Sequence, residues 1–179
     1  VNVSNNTIYD GASHTPNISL KFKDNDINAN DYDISYFRND TETLDFVNAG
    51  EITIRITGKN NFQNSRDLKY IISPRSLVDV SIGITSSDLI YTGSSIEPQI
   101  TVAFGAIVLE SDDYSIQYSN NINASNQAKI IITANNNTNF SGSKEQSFTI
   151  QPKTLNVAFV QDIESLEYSS KEQTPNITI

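Results

Sequence analysis

Ile8-Tyr9-Asp10-Gly11-Ala12-Ser13-His14-Thr15-Pro16-Asn17-Ile18-Ser19-Leu20-Lys21-Phe22 returns 82 residues later as Ile90-Tyr91-Thr92-Gly93-Ser94-Ser95-Ile96-Glu97-Pro98-Gln99-Ile100-Thr101-Val102-Ala103-Phe104. Ile, Tyr, Gly, Ser, Pro, Ile and Phe recur in register, so the chain contains an internal repeat, and the repeat must be read before any single element. At the same offset Asp31-Tyr32-Asp33-Ile34-Ser35-Tyr36 meets Asp113-Tyr114-Ser115-Ile116-Gln117-Tyr118. Further on the offset falls to 78, where Phe62 meets Phe140, Tyr70 meets Phe148, Pro74 meets Pro152 and Leu77 meets Leu155. The first copy therefore carries extra residues near Thr41 to Phe46, the kind of insertion that loops absorb. A third copy begins at Leu166-Glu167-Tyr168-Ser169-Ser170 and keeps the seven-residue spacing of Tyr9 to Pro16 between Tyr168 and Pro175. Ser73-Pro74-Arg75 and Gln151-Pro152-Lys153 close one copy and open the next in the same way. We divide the chain into repeat one (1–74), repeat two (75–152) and a truncated third (153–179).

Within each copy apolar residues alternate with polar ones: Ile18/Leu20/Phe22, Tyr32/Ile34/Tyr36 and Ile52/Ile54/Ile56, then Val78/Val80/Ile82/Ile84, Ile100/Val102/Phe104 and Tyr114/Ile116/Tyr118. A period of two marks strands with one buried face. Turn-forming pairs such as Asp10-Gly11, Thr92-Gly93, Asn60-Asn61 and Asn120-Asn121 separate them. Composition agrees, with 24 Ile, 15 Thr, 8 Phe and 8 Tyr against 9 Ala and 8 Leu, a bias toward residues that fit a pleated surface. The expected class is all-β: tandem small antiparallel β-sandwich repeats of immunoglobulin-like type. The alternative is a β-grasp-like unit, which needs a helix on the sheet, and only the stretch Thr41 to Val47 could supply one.

Absences remove several function classes. Without Cys there is no disulfide framework, thiolate metal site or cysteine nucleophile, and His14, the single histidine, has no partner for a histidine-based site. No apolar run approaches the ~20 residues of a membrane helix, so no membrane insertion is expected of this segment. A net charge of −9 repels nucleic acid and anionic lipid at long range, so neither is among the expected partners. Val at position 1 and the lack of any Met lead us to expect a segment of a longer protein, monomeric within that chain.

The ordered pattern Tyr-x-Gly, Pro, Asp-Tyr-x-Ile-x-Tyr, Ile-x-Ile-x-Gly, an aromatic, then Phe/Tyr-x-Ile-x-Pro resembles the tandem modules of bacterial surface proteins known as MBG or YDG-type repeats. Tyr9-Asp10-Gly11 carries the latter signature literally, and the resemblance spans nearly all of both full copies. The second copy departs at Ala134, where the first has Gly58, and the third has Ser170 in place of the glycine. The resemblance implies an extracellular protein of the bacterial cell surface or cell wall, often an adhesin, in which such modules form a stalk or contribute to adhesion. It implies no catalytic residue and no cofactor. The function expected is a non-catalytic spacer; the alternative is an adhesion module that binds host glycan or a host surface protein.

Carboxylates are the one cluster with candidate chemistry. Asp24, Asp26, Asp31 and Asp33 lie in or beside one loop of the first copy, and Asp112 and Asp113 hold the matching place in the second. Hard oxygen ligands at alternate loop positions can take calcium, although the spacing completes no known calcium loop, and the competing reading is a solvated turn followed by a strand-start aspartate. The tyrosines at 9, 32, 36, 91, 114 and 118 recur in both copies and are expected in the core or in strand pairing. An exposed, inert His14 is expected, since Ile96 stands at its position in the second copy. Lys21, Lys23 and Lys129, on strands, are candidates for lysine-to-asparagine isopeptide links.

Overall fold

Alternation of β-branched residues has produced the strands it promises. The computed structural model describes residues 2–3, 7–155 and 165–175, and the secondary structure there is β apart from two single-turn 3-10 helices, Ala29–Asp31 and Leu77–Asp79. Among the described residues no helix is long and apolar enough to cross a membrane.

In the first half the strands are β1 (Asn2–Val3), β2 (Thr7–Ile8), β3 (Ile18–Ser19), β4 (Lys21–Phe22), β5 (Asn25–Asp26), β6 (Tyr32–Arg38), β7 (Thr41–Glu42), β8 (Gly50–Gly58) and β9 (Ser65–Ser73). A five-stranded sheet runs β2-β9-β8-β6-β7, while β1 pairs with β3 and β4 with β5. The second half has β10 (Arg75–Ser76), β11 (Ser81–Ile84), β12 (Ile100–Phe104), β13 (Ile107–Val108), β14 (Tyr114–Ser119), β15 (Ser125–Ala134), β16 (Phe140–Ser141) and β17 (Ser143–Ile150). Here the sheets are β11-β12-β13 and β14-β15-β17, with β10 beside β16. The sheets are several, small and mostly antiparallel; the exceptions are β2 with β9 and β10 with β16.

The ladders of the two halves coincide at the aligned positions. Tyr32, Ile34 and Tyr36 stand opposite Gly58, Ile56 and Ile54, as Tyr114, Ile116 and Tyr118 stand opposite Ala134, Ile132 and Ile130. Phe22 faces Asn25 as Phe104 faces Ile107. Ile8 lies parallel to Ser73 as Ile90 lies parallel to Gln151. Loop bonds repeat too: the Ile27 N–H donates to the Leu20 carbonyl and the Leu109 N–H to that of Val102. The replacement of Gly58 by Ala134 changes none of this pairing.

Period two decides what is buried. Ile52, Ile54 and Ile56 on β8 and Ala128, Ile130 and Ile132 on β15 turn inward, with Tyr70 and Ile72 on β9 and Phe148 and Ile150 on β17 beside them. Leu20, between β3 and β4, and Val102 on β12 belong to the same buried cluster.

Several expectations need correction. The stretch 41–47 holds β7 and a loop, with no helix, so the one segment that could have supplied a β-grasp helix does not. Its start is a tight hairpin, because Asn39 and Asp40 both take positive φ, the requirement of a type I′ turn. Val78 does not share a buried face with Val80; it is 67% exposed, because the 3-10 turn Leu77–Asp79 shifts the phase so that Leu77 and Val80, three apart, point inward together. Phe22 is exposed although Leu20 is buried. Of the third copy, residues 165–175 contain no strand, while 156–164 and 176–179 lie outside the described residues.

Candidate functional site

The aspartates sit where local bonding explains them. Lys23 and Asp24 are the positive-φ centre of the β4–β5 turn, and Asp26 lies 3.6 Å from the Lys21 ammonium. Asp33 on β6 pairs with Lys59 at 2.8 Å, and Asp31 accepts from the Asn60 amide at 3.2 Å. In the second half the Asp113 carboxylate accepts the Glu110 N–H at 3.0 Å, and the Asp112 carbonyl accepts from the Asn135 amide. Among the described residues no three acidic or histidine side chains converge, so the acids read as a calcium candidate are distributed over separate contacts. Lys21 and Lys129 likewise face carboxylates, Asp26 and Glu145, and Lys23 lies over the Phe22 ring.

The tyrosines mostly occupy core or strand-pairing positions. Burial raises the phenols of Tyr36, Tyr114 and Tyr118 above their ordinary range, with nearby acids adding to the effect at the last two. The Tyr118 hydroxyl donates to the Pro98 carbonyl, and Tyr36 meets Phe46 edge-on at 4.9 Å. Tyr91 departs from its repeat partner: it is 38% exposed, whereas Tyr9 is 7% exposed because Phe140 of the second half lies edge-on against it at 5.5 Å. His14 is half-buried instead of exposed. Its Nε2 is 2.7 Å from the Asp10 carboxylate, its N–H donates to the Phe46 carbonyl, and its own carbonyl accepts the Tyr70 hydroxyl.

The Tyr9–Phe140 contact belongs to the place where the two halves meet. Pro74 lies between Ser73, the end of β9, and Arg75, the start of β10, and β10 is already paired with β16. Arg75 donates from Nε to the Tyr9 carbonyl at 2.9 Å, lays its guanidinium 4.5 Å from the centre of the Phe104 ring, and reaches Asp79 at 3.3 Å. Gly11 faces Ile107 so closely that a Cβ there would stand 2.5 Å from the Ile107 Cδ1. Asn139 accepts the Ala49 N–H at 2.8 Å and donates to the Asn48 side chain at 2.9 Å.

The first-half side of this contact is the inserted loop. Arg38 donates to the carbonyls of Asp45, Asn48 and Ala49, and the Asp45 carboxylate accepts from the N–H groups of Val47 and Asn48 and from the Asn48 side chain. Those bonds, the Asn48 side-chain bond foremost, hold the Asp45 carboxyl below the usual carboxylate range. Between this loop and residues 134–142 lies a cleft of about 790 Å³, whose lining mixes apolar groups such as Ile71, Pro74 and Phe140 with asparagine side chains. No family model, curated protein or solved structure matches the chain. What the cleft can do follows from its groups. Glu51 is paired with Lys69, Asp45 is held by Asn48 and the Asn135 amide is held by Asp112, so Asn136 and Asn137 are the lining residues whose amides can offer hydrogen bonds to a hydroxyl-rich ligand.

The sequence located the acids, the tyrosines and the boundary at Pro74 but not the side-chain contacts across it. Their visible traces were the recurring Pro-Arg/Lys pair and the insertion near Thr41 to Phe46, which lies just ahead of Asn48 and Ala49.

Proposed function

We propose that the chain is a non-catalytic spacer from the stalk of a bacterial surface protein: two small β-sandwich units of immunoglobulin-like type, 1–74 and 75–152, followed by the opening of a third. The observation that carries this reading is the absence of slack at Pro74. The strand that ends one half and the strand that opens the next are separated by that one residue, and Arg75 and Asn139 then bond across the joint. A proline with fixed φ and no donor stiffens such a joint. Matching ladders in the two halves support a modular structural role. Solution scattering on the 179-residue chain tests it: an elongated particle with a narrow spread of inter-unit angles is the expected result, and a wide spread removes the spacer reading.

The junction cleft favours a second reading, an adhesion module that takes a host glycan or surface protein. Bacterial surface or cell-wall location is common to both proposals. A glycan array probed with the intact chain separates them, because binding that is lost on N136A/N137A substitution moves adhesion ahead of spacing.

A further inference from the structure

Matching sheets of the two halves end differently. In the first half β6 has β7 on its outer side, whereas β14, which holds the same place in the second half, is the last strand of its sheet. The insertion near Thr41 to Phe46 makes the difference: there the Thr43 N–H donates to the Tyr36 carbonyl, and Phe46 lies edge-on against the Tyr36 ring at 4.9 Å. Among the described residues Tyr118, the counterpart of Tyr36, has neither cover. Ile116 is 40% exposed, although it stands opposite the fully buried Ile132.

The phase of the backbone fixes what can pair there. The Asp113 carbonyl accepts the Asn135 N–H, so by alternation Ser115, Gln117 and Ser119 turn their backbone groups to β15, and Tyr114, Ile116 and Tyr118 turn theirs away. Among the described residues no strand or bridge meets that outer side. The usual guards of a sheet edge are missing too. The ladder with β15 runs without a bulge, and Tyr114–Ser119 contains no charge and no proline, where β6 carries Asp33 and Arg38. Tyr114-Ser115-Ile116-Gln117-Tyr118 is also a chemical palindrome, reading aromatic, polar, isoleucine, polar, aromatic in both directions. Nor is this edge where successive units join: the hydrogen bonds and ring contacts between the halves reach Tyr9, Asn48 and Ala49, and among the described residues none reaches 32–36, the matching edge of the first half.

We propose that β14 pairs antiparallel with β14 of a second copy of this chain, about a two-fold axis through Ile116, so that the two sheets become one. In that register Ile116 meets Ile116 and Tyr114 meets Tyr118 of the other copy. The outward N–H and C=O groups of all three then face one another, making about six hydrogen bonds, two for each facing pair. The incoming Tyr114 covers Tyr118 as Phe46 covers Tyr36. Charge selects the direction: the antiparallel pair sets Asp113 opposite the uncharged Ser119, whereas a parallel pair would align Asp112 and Asp113 with themselves. The interface is isologous and closes at two copies. It departs from the monomer expected of the sequence, and it rests on neither the spacer nor the adhesion reading.

Sedimentation equilibrium of the full chain, at up to about 1 mM protein, tests the proposal. Wild type should exchange between monomer and dimer. Added salt should tighten the dimer, because Glu97 acts on Tyr118 and Asp113 on Tyr114, which brings like charges to each end of the pair. In the same samples amide exchange at Ile116 and Tyr118 should slow as concentration rises, while exchange at Ser115 and Gln117, already bonded to β15, should stay constant. Because position 116 meets itself, I116K and I116E should each dimerise at least about tenfold more weakly, through lost apolar burial and repulsion between like charges. An equimolar mixture of the two should recover the dimer. Melting curves matching wild type show the variants folded, and if either fails to fold, the amide exchange of wild type decides. A wild type that stays monomeric, protection indifferent to concentration, folded variants that dimerise like wild type, or a mixture of them that stays monomeric overturns the proposal.

Discussion

Gly11 and Gly93 have φ of 82° and 83°, the left-handed region that a β-carbon makes costly, and they separate two effects that glycine usually confounds. Around Gly93 a Cβ would meet nothing closer than 3.8 Å, whereas at Gly11 it would strike Ile107. G93A should therefore cost only the backbone strain, about 1–2 kcal/mol by denaturant titration, and G11A should cost more, the excess measuring the contact between halves. Equal costs would mean that Ile107 moves aside freely. Ser170 shows that the turn itself tolerates a side chain, for it takes the same place in the third copy with φ of 56°. The sequence could reveal the shared turn, because a glycine at a fixed distance from tyrosine and proline has a conformational reason. It could not reveal that one of the two faces an isoleucine 96 positions along the chain.

Among the elements, the ladders were legible and the short pairings were not. Long strands such as β8 and β15 display period two over nine or ten residues, enough to fix both type and register. β10 and β16 are two residues each and have no period to display. The 3-10 turn after β10 goes further, since it substitutes a spacing of three for a spacing of two and turns Val78 outward. Leu77 and Leu155 test what that element contributes. L77A should destabilise by about 2–4 kcal/mol, as expected for a leucine with no exposed surface, and L155A by under about 0.5 kcal/mol, both read from chemical denaturation. Comparable losses would mean that Leu155 is buried in solution within a single chain.

For the whole molecule, the joint between halves has its own chemistry and its own pH dependence. N139A removes two hydrogen bonds across the joint without touching either core, so the melting temperature should change little while residual dipolar couplings report a wider spread of inter-unit orientations. Unchanged couplings would assign the stiffness to Arg75 and Pro74 alone. Asp45 adds a titration. Its folded carboxyl is held below the unfolded value, so its contribution is present at neutral pH and is lost as pH falls from about 4 through the lower folded value, where protonation breaks its acceptor bonds. Amide exchange at Val47, Asn48 and Ala49 should accelerate over that acid range relative to β8, and D45N should abolish the difference.

A last consequence concerns force. In each half the strand near the entry lies parallel to the strand at the exit, Ile8 beside Ser73 and Ile90 beside Gln151, with the N–H of Tyr9 or Tyr91 donating to the exit carbonyl. Pulling the ends of such a pair apart slides one strand along the other. The bonds between them must then share the load and fail together, whereas an antiparallel pair at the ends would peel open one bond at a time.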